Sequence, residues 1–271
     1  MIGRLSKSER QKRILGRLRS RVTVRILSLA EEFGVATETI RRDIDELAGQ
    51  GLVSRTYGGA VSPLLAEEPG LLQREMSRVD ERARIAARAA DMVEPRDVLM
   101  IDSGSTTAQF ARALAARRLE VTALTNGIAV ARALAENAGA RVILCPGDYR
   151  ESELGVYGQE TAAFLGRYKA NKAFIGAGGI TTEAVTDADS QACWIKRTMI
   201  ERAGECMLLV DSGKFGADLF EAVCPLPRID HVLTDSAPPP RLLAAIAKAK
   251  VRLHVAEATA GGQPPGPGPE R

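Results

Sequence analysis

Along the first sixty residues, apolar positions recur at helical intervals in three successive runs. In "SERQKRILGRLR" the first run is marked by Ile14, Leu15 and Leu18. "VRILSLAEEFGV" carries Ile26, Leu29, Ala30 and Phe33 and closes on Gly34, which predicts a short helix with a glycine stop. "ATETIRRDIDELAGQG" sets Ile40, Ile44 and Leu47 on one stripe, ended by Gly49 and Gly51. Glu38, Arg41, Arg42 and Asp45 point away from that stripe. Two short helices with a tight glycine junction, the second bearing arginines outward, fit a helix-turn-helix. "GLVSRTYGGAV" then alternates around Gly58-Gly59 as a wing hairpin does, with Arg55 and Tyr57 within reach of DNA.

Beyond the wing the pattern changes. "VSPLLAEEPG" has two prolines and a glycine and reads as a linker, and "LLQREMSRVDERARIAARAADMVEP" predicts one long helix over 71–93. Short apolar strands then alternate with helices: "DVLMID", "EVTALTN", "RVILCPG", "KAFIGAGGI", "ECMLLVDSGKFG", "HVLTD" and "VRLHVAE". This alternation predicts an α/β domain built on a mainly parallel sheet. The Pro/Gly-rich "ATAGGQPPGPGPER" predicts a disordered tail. The expected organisation is a winged helix-turn-helix over 1–60, a linker and connecting helix over 61–94, an α/β sensor over 95–257 and the tail over 258–271.

Charge sharpens the first part of this division. The chain is +3 overall, but residues 1–60 hold 12 Lys+Arg against 7 Asp+Glu, and the remainder 25 against 27. A basic N-terminal segment suits a polyanionic partner. At 45% hydrophobic over 271 residues, the chain can bury a sizeable core. No apolar run reaches the roughly 18 residues that span a bilayer, and "MIGRLSKSERQKRIL" has no apolar signal core, so the expectation is a cytoplasmic protein without a membrane partner. Cys145, Cys193, Cys206 and Cys224 form no CxxC pair, and His231 and His254 add no zinc spacing; reduced thiols, no metal and no cofactor are expected.

Candidate chemistry lies where strands end. "DSGSTT", "TNG", "PGD", "GAGG" and "DSGKFG" each put small or hydroxyl residues directly after a strand. Such ends converge on one edge of a parallel sheet, where ligands bind. Ser103, Gly104, Ser105, Thr106 and Thr107 offer hydroxyls and amides at a helix N-terminus, suited either to capping the helix or to cradling a phosphate. Lys196 and Lys214 are candidate cations, and Asp102, Asp187 and Asp211 candidate acceptors for sugar hydroxyls.

"VATETIRRDIDELAGQGLVSRTYGGAV" resembles the signature of the DeoR-type family of bacterial transcription regulators. The resemblance runs from about residue 8 to about residue 256. It implies a winged helix-turn-helix, with Thr37, Glu38, Thr39, Arg41, Arg42, Arg55 and Tyr57 at operator DNA. It also implies a sensor domain like ribose-phosphate isomerases, with the effector phosphate on Ser103–Thr107 and Asn126, Gly178, Lys196 and Lys214 around the rest. Ala36 stands where serine is usual, so the cap of the third helix comes from Thr37 or is weaker. Pro146-Gly147 replaces Gly-Gly, and Gly213 stands where serine is common. "TDSAPPP" with "DSGKFG" is similar to the glycerol-3-phosphate repressor branch.

Isomerisation requires a positioned base and enediolate stabilisation, and neither histidine sits by these turns. Asp102 and Asp211 are candidate bases on residue type alone, but the family that the chain resembles uses this fold as a sensor, and that resemblance implies a non-enzymatic repressor of a carbohydrate or polyol operon, controlled by a phosphorylated sugar or polyol and acting as a homodimer or homotetramer. The competing reading is a sugar-phosphate isomerase or deaminase-like enzyme with an accessory DNA-binding domain.

Overall fold

The computed structural model describes residues 5–20, 23–56, 58–61 and 70–257. Tyr57, linker residues 62–69 and the tail 258–271 lie outside the described residues.

The N-terminal unit runs α1 (Lys7–Ser20), β1 (Thr23–Arg25), α2 (Ile26–Phe33), α3 (Thr37–Gly49), β2 (Ser54–Thr56) and β3 (Gly59–Val61). Its core is the set of stripes read from the sequence: Ile14 and Leu18 of α1, Ile26, Leu29 and Phe33 of α2, and Ile40, Ile44 and Leu47 of α3. The α2–α3 junction turns on Gly34, whose φ of 63° is left-handed and favours a residue without a Cβ. Ala36 is the N-cap of α3 and makes no side-chain bond, so the weaker-cap alternative holds. The wing is β2 paired antiparallel with β3, and β1, which the pattern did not predict, pairs with the other side of β3.

One polar residue interrupts the stripe of α3. Asp43 is 2% exposed and accepts two bonds from Arg10 of α1, Nε to Oδ2 at 2.7 Å and Nη2 to Oδ1 at 3.1 Å. This fork fixes α3 against α1 in direction as well as distance.

The larger unit begins with α4 (Leu71–Glu75) and α5 (Val79–Ala90). The single helix expected over 71–93 is thus two. Arg82 of α5 donates Nη1 to the carbonyls of Arg74 and Ser77, the second at 2.7 Å, and Arg78 between the helices is left-handed at φ 50°. A tertiary contact has taken the carbonyls that a continuous helix would use.

There follow β4 (Val98–Ile101), α6 (Ser105–Ala116), β5 (Val121–Thr125), α7 (Ile128–Ala135), β6 (Ala140–Leu144), β7 (Asp148–Arg150), β8 (Gly155–Tyr157) and α8 (Gln159–Leu165). The chain continues through β9 (Ala170–Ile175), β10 (Gly179–Ile180), β11 (Ala184–Asp187), α9 (Ser190–Arg202), β12 (Ala203–Leu209), β13 (Glu221–Pro225), β14 (His231–Thr234), α10 (Pro240–Lys248) and β15 (Arg252–Val255). The seven predicted apolar segments form one parallel sheet in the order β15-β14-β12-β9-β4-β5-β6. From β4 the chain winds outward through β5 and β6, then returns to the other side of β4 with β9. The order therefore reverses between β4 and β9, where an open sheet leaves a crevice. A separate antiparallel sheet, β10-β11-β13, covers one end and was not anticipated. Two apolar layers sandwich the main sheet, one under α8–α10 and one under α5–α7.

The Arg10–Asp43 fork gives a stability prediction. Asp43→Ala removes both bonds to the partly buried Arg10 guanidinium and is expected to lower unfolding free energy by about 2 kcal/mol. Denaturant titration followed by helical circular dichroism checks this; an unchanged midpoint contradicts it.

Candidate functional site

A cavity of about 660 Å³ opens at the C-terminal ends of β4, β9 and β12, beside the β4–β9 reversal. On β4, Ile101 is followed by Asp102 and Ser103, and α6 starts at Ser105. Phe110 of α6 stacks on Phe174 of β9 with centroids 4.1 Å apart, which holds the helix over the reversal with its N-terminus at the cavity. Gly104 at the N-cap offers no capping side chain, so the amides of the first turn meet the cavity with the helix dipole behind them. Thr107 Oγ1 turns back to donate to Gly104 O at 3.0 Å. Ser103 Oγ lies 2.7 Å from the hydroxyl of Tyr157, and its backbone N–H donates to Asn126 Oδ1 at 3.0 Å. Burial raises the Tyr157 hydroxyl pKa, keeping it protonated.

The floor is an ion cluster. Lys196 of α9 is 4% exposed and places Nζ 2.9 Å from Asp187 Oδ2 and 3.2 Å from Asp102 Oδ2. Burial disfavours its ammonium, but the two carboxylates outweigh burial and hold the pKa well above the ordinary lysine value. At Asp187 burial is likewise overcome, by Lys196 and by N–H donors from Asp189 and Ala188, and the carboxyl pKa is lowered. At Asp102 burial wins over Lys196 and the pKa is raised. Asp102 Oδ1 is buried with no hydrogen-bond partner among the described residues. One lysine thus serves two acids, and the acid at the mouth of β4 keeps an open acceptor.

The opposite wall is cationic. Arg74 of α4 pairs with Glu153, and Arg82 Nη2 lies 3.3 Å from Asp211 Oδ2. Arg150 pairs with Asp189, donates to Gln191 Oε1 at 2.8 Å and sits 4.4 Å from the Tyr157 ring centroid. Lys214 reaches the cavity from the short helical turn Ser212–Lys214.

Of the residues predicted for an effector, Asp102, Ser103, Gly104, Ser105, Thr106, Thr107, Asp187, Lys196, Asp211 and Lys214 line this cavity. Asn126 does not; it sits behind Ser103, donating Nδ2 to Ser103 Oγ and to Val156 O, each at 3.2 Å. Gly178 also lies outside the lining, where a Cβ would fall 2.2 Å from Leu219 Cδ1. Lys196 is also paired with the carboxylates of Asp187 and Asp102, and Asp211 with Arg82. Arg74, Arg82, Arg150 and Tyr157 were missed. The signal for Arg82 was present: it falls in register with Ile85, Ala86 and Ala89 on the buried stripe of α5. His231 and His254 bond each other at 2.8 Å and take no part in the cavity lining.

At the N-terminal unit, α3 exposes Glu38, Arg41 and Arg42, with Thr37 and Thr39 half-buried. Arg41 lies 3.3 Å from Glu38 and Arg55 of the wing 2.6 Å from Asp45, both exposed pairs of the kind that contribute little and exchange readily for phosphate. Arg42 has no ion pair among the described residues. No helix among the described residues is long and apolar enough to cross a membrane. The four cysteines are buried and unpaired, and burial raises their thiol pKa values, Cys224 to about 11.

Sequence comparison agrees with both units. Residues 10–64 match the profile of the DeoR-like helix-turn-helix domain and residues 77–236 that of the DeoR C terminal sensor domain. A putative aga operon transcriptional repressor of Escherichia coli O157:H7 is 31% identical over 91% of this chain and 93% of its own length. The glycerol-3-phosphate regulon repressor of Escherichia coli K12 is 29% identical over 93% of this chain and all of its own. Among solved structures, ribose 5-phosphate isomerase A from Methanocaldococcus jannaschii aligns over 52% of this chain and 56% of its own at 21% identity, with a TM-score of 0.38, too low to bear on function. Full-length sequence similarity, with both profiles matched in order, places this chain in the DeoR family of transcriptional regulators.

Proposed function

We propose that this regulator represses a carbohydrate or polyol catabolic operon and that a phosphorylated sugar or polyol in the cavity sets its hold on operator DNA. In this reading residues 1–60 read DNA, 61–94 connect and 95–257 sense. The observation that carries it is the pairing, in one cavity, of an uncapped helix N-terminus with the unpartnered acceptor Asp102 Oδ1. The first suits a phosphate and the second a hydroxyl donor, so together they suit a molecule bearing both. Ser105, Thr106 and Thr107 supply the amides, Lys214 the nearby cation and Asp102 the hydroxyl contact. The reading makes the cavity a sensor without turnover, in keeping with relatives named as transcriptional repressors. Glycerol 3-phosphate is the first ligand to try, because one such relative is a glycerol-3-phosphate regulon repressor.

On DNA, Arg41 and Arg42 of α3 face base edges and Arg55 of the wing faces the backbone. Two heads on a symmetric pair of half-sites require at least a dimer. Effector binding shifts operator affinity only by its preference for one arrangement over the other.

Two measurements test this. Fluorescence anisotropy on DNA from upstream of the protein's own operon should show binding that weakens steeply with salt. Arg42→Ala should lower operator affinity by about tenfold or more while leaving ligand binding intact; equal affinity removes α3 from the interface. For the cavity, Asp102 should be the stronger acceptor when ionised, because a carboxylate accepts through both oxygens and carries the charge. Because its pKa is raised, glycerol 3-phosphate binding should weaken as pH falls through a value above the ordinary carboxyl range, and Asp102→Asn should flatten that dependence. A pH profile identical in the two proteins contradicts the assignment.

A further inference from the structure

Asp211 was read from the sequence as a hydroxyl acceptor, yet its carboxylate faces the segment through which the chain enters the sensor. Oδ2 lies 3.3 Å from Arg82 Nη2, and Oδ1 lies 3.4 Å from Arg78 Nε while accepting from Gly213 N at 3.0 Å. Arg78 also donates Nη1 to Ser212 Oγ at 3.2 Å, and Ser212 is itself anchored on Asp235. Both arginines belong to the α4–α5 joint: Arg78 is the left-handed residue between the helices, and Arg82 holds the carbonyls of Arg74 and Ser77. A left-handed conformation is unfavourable for a non-glycine residue and is kept where its surroundings hold it. Here Asp211 holds Arg78 at Nε, with Ser212 and the more distant Glu81 at Nη1, and holds Arg82 as well.

The same joint is a cavity wall. Gly70, Arg74 and Arg82 line the cavity together with Asp211. Arg82 is 4% exposed, and its Nε is buried with no hydrogen-bond partner among the described residues. An anionic group entering the cavity therefore meets a buried guanidinium with an unsatisfied N–H, and it meets Asp211 as a competing charge of the same sign. Room for the pair is made at Gly213. A Cβ there would fall 2.9 Å from both Arg78 Nε and Asp211 Oδ1.

We infer that Asp211 is a latch on the joint between DNA reader and sensor, and that an anionic effector opens it by drawing the Arg82 guanidinium away from that carboxylate. This rests on the proposed phosphate site and assigns its route to the DNA-binding head. With the latch closed, Arg78 stays left-handed and α4 stays against the cavity. With it open, the joint relaxes and the segment leading to the reader is released.

Amide hydrogen exchange on the full-length protein tests both parts. Without ligand, Asp211→Asn should speed exchange across residues 74–79 by about tenfold, with residues 104–107 unchanged. Gly213→Ala, whose Cβ would crowd both the Arg78 guanidinium and Asp211 Oδ1 and so push the pair apart, should speed the same amides. Glycerol 3-phosphate or inorganic phosphate added to wild type should slow exchange at 104–107 and speed it at 74–79. If both variants stay within about twofold of wild type at 74–79, the latch is wrong. Protection at 104–107 with no change at 74–79 also overturns the latch but leaves the phosphate site standing. No protection at 104–107 with either ligand overturns the site, and the latch falls with it.

Discussion

The sensor is organised around one buried ammonium. Lys196 of α9 reaches Asp102 at the end of β4 and Asp187 at the end of β11, tying together three elements. Removing three ionised groups from water is costly, and their attraction offsets the cost only where each charge is fully coordinated. Asp187 is so coordinated, with two backbone donors besides the lysine, and Asp102 is not. Burial, which Lys196 does not overcome there, raises the Asp102 pKa, and Asp102 Oδ1 is left without a hydrogen-bond partner among the described residues of the cavity lining. In the proposed reading, a ligand hydroxyl supplies the donor that the protein withholds from Asp102.

A parallel sheet with one reversal of strand order makes the rest of the site follow. The reversal opens the crevice between β4 and β9, and the helix after β4 must start at its edge. The Phe110–Phe174 stack sets the height of that helix, and Asn126 and Tyr157 fix Ser103 behind it. The α6 side of the cavity is thus preorganised by packing and hydrogen bonds. The side formed by α4 and α5 is different in kind. It is held by arginine–carboxylate pairs, which respond to any new charge nearby, and it is the side nearest in sequence to the DNA-reading head.

Much of this was legible in residue order. Seven short apolar runs separated by helical spacing became the seven parallel strands, and the stripes of α2 and α3 became the core of the head. What escaped was set by side-chain and tertiary contacts rather than by local propensity. Residues 76–78 contain no glycine or proline, so nothing local announces the break that Arg82 imposes on them. Strands as short as β10 carry no periodicity, and their pairing with β11 and β13 is a tertiary event. Yet Asp43, Arg82 and Lys196 share a readable feature: each is a charged residue in step with an apolar stripe, where burial demands a partner. Asn126 illustrates the opposite error. It follows a strand as a ligand contact does, but supports the residue in front of it.

The central claim is that one cavity recognises a phosphate and a hydroxyl together and that its occupancy is coupled to operator binding. The most direct measurement is a calorimetric cycle: glycerol 3-phosphate and unphosphorylated glycerol titrated into the full-length protein, with and without its operator. The account predicts that the phosphorylated ligand binds far more tightly, and that operator changes its affinity by the same factor by which the ligand changes operator affinity. Equal binding of the two ligands, or operator binding untouched at ligand saturation, contradicts it.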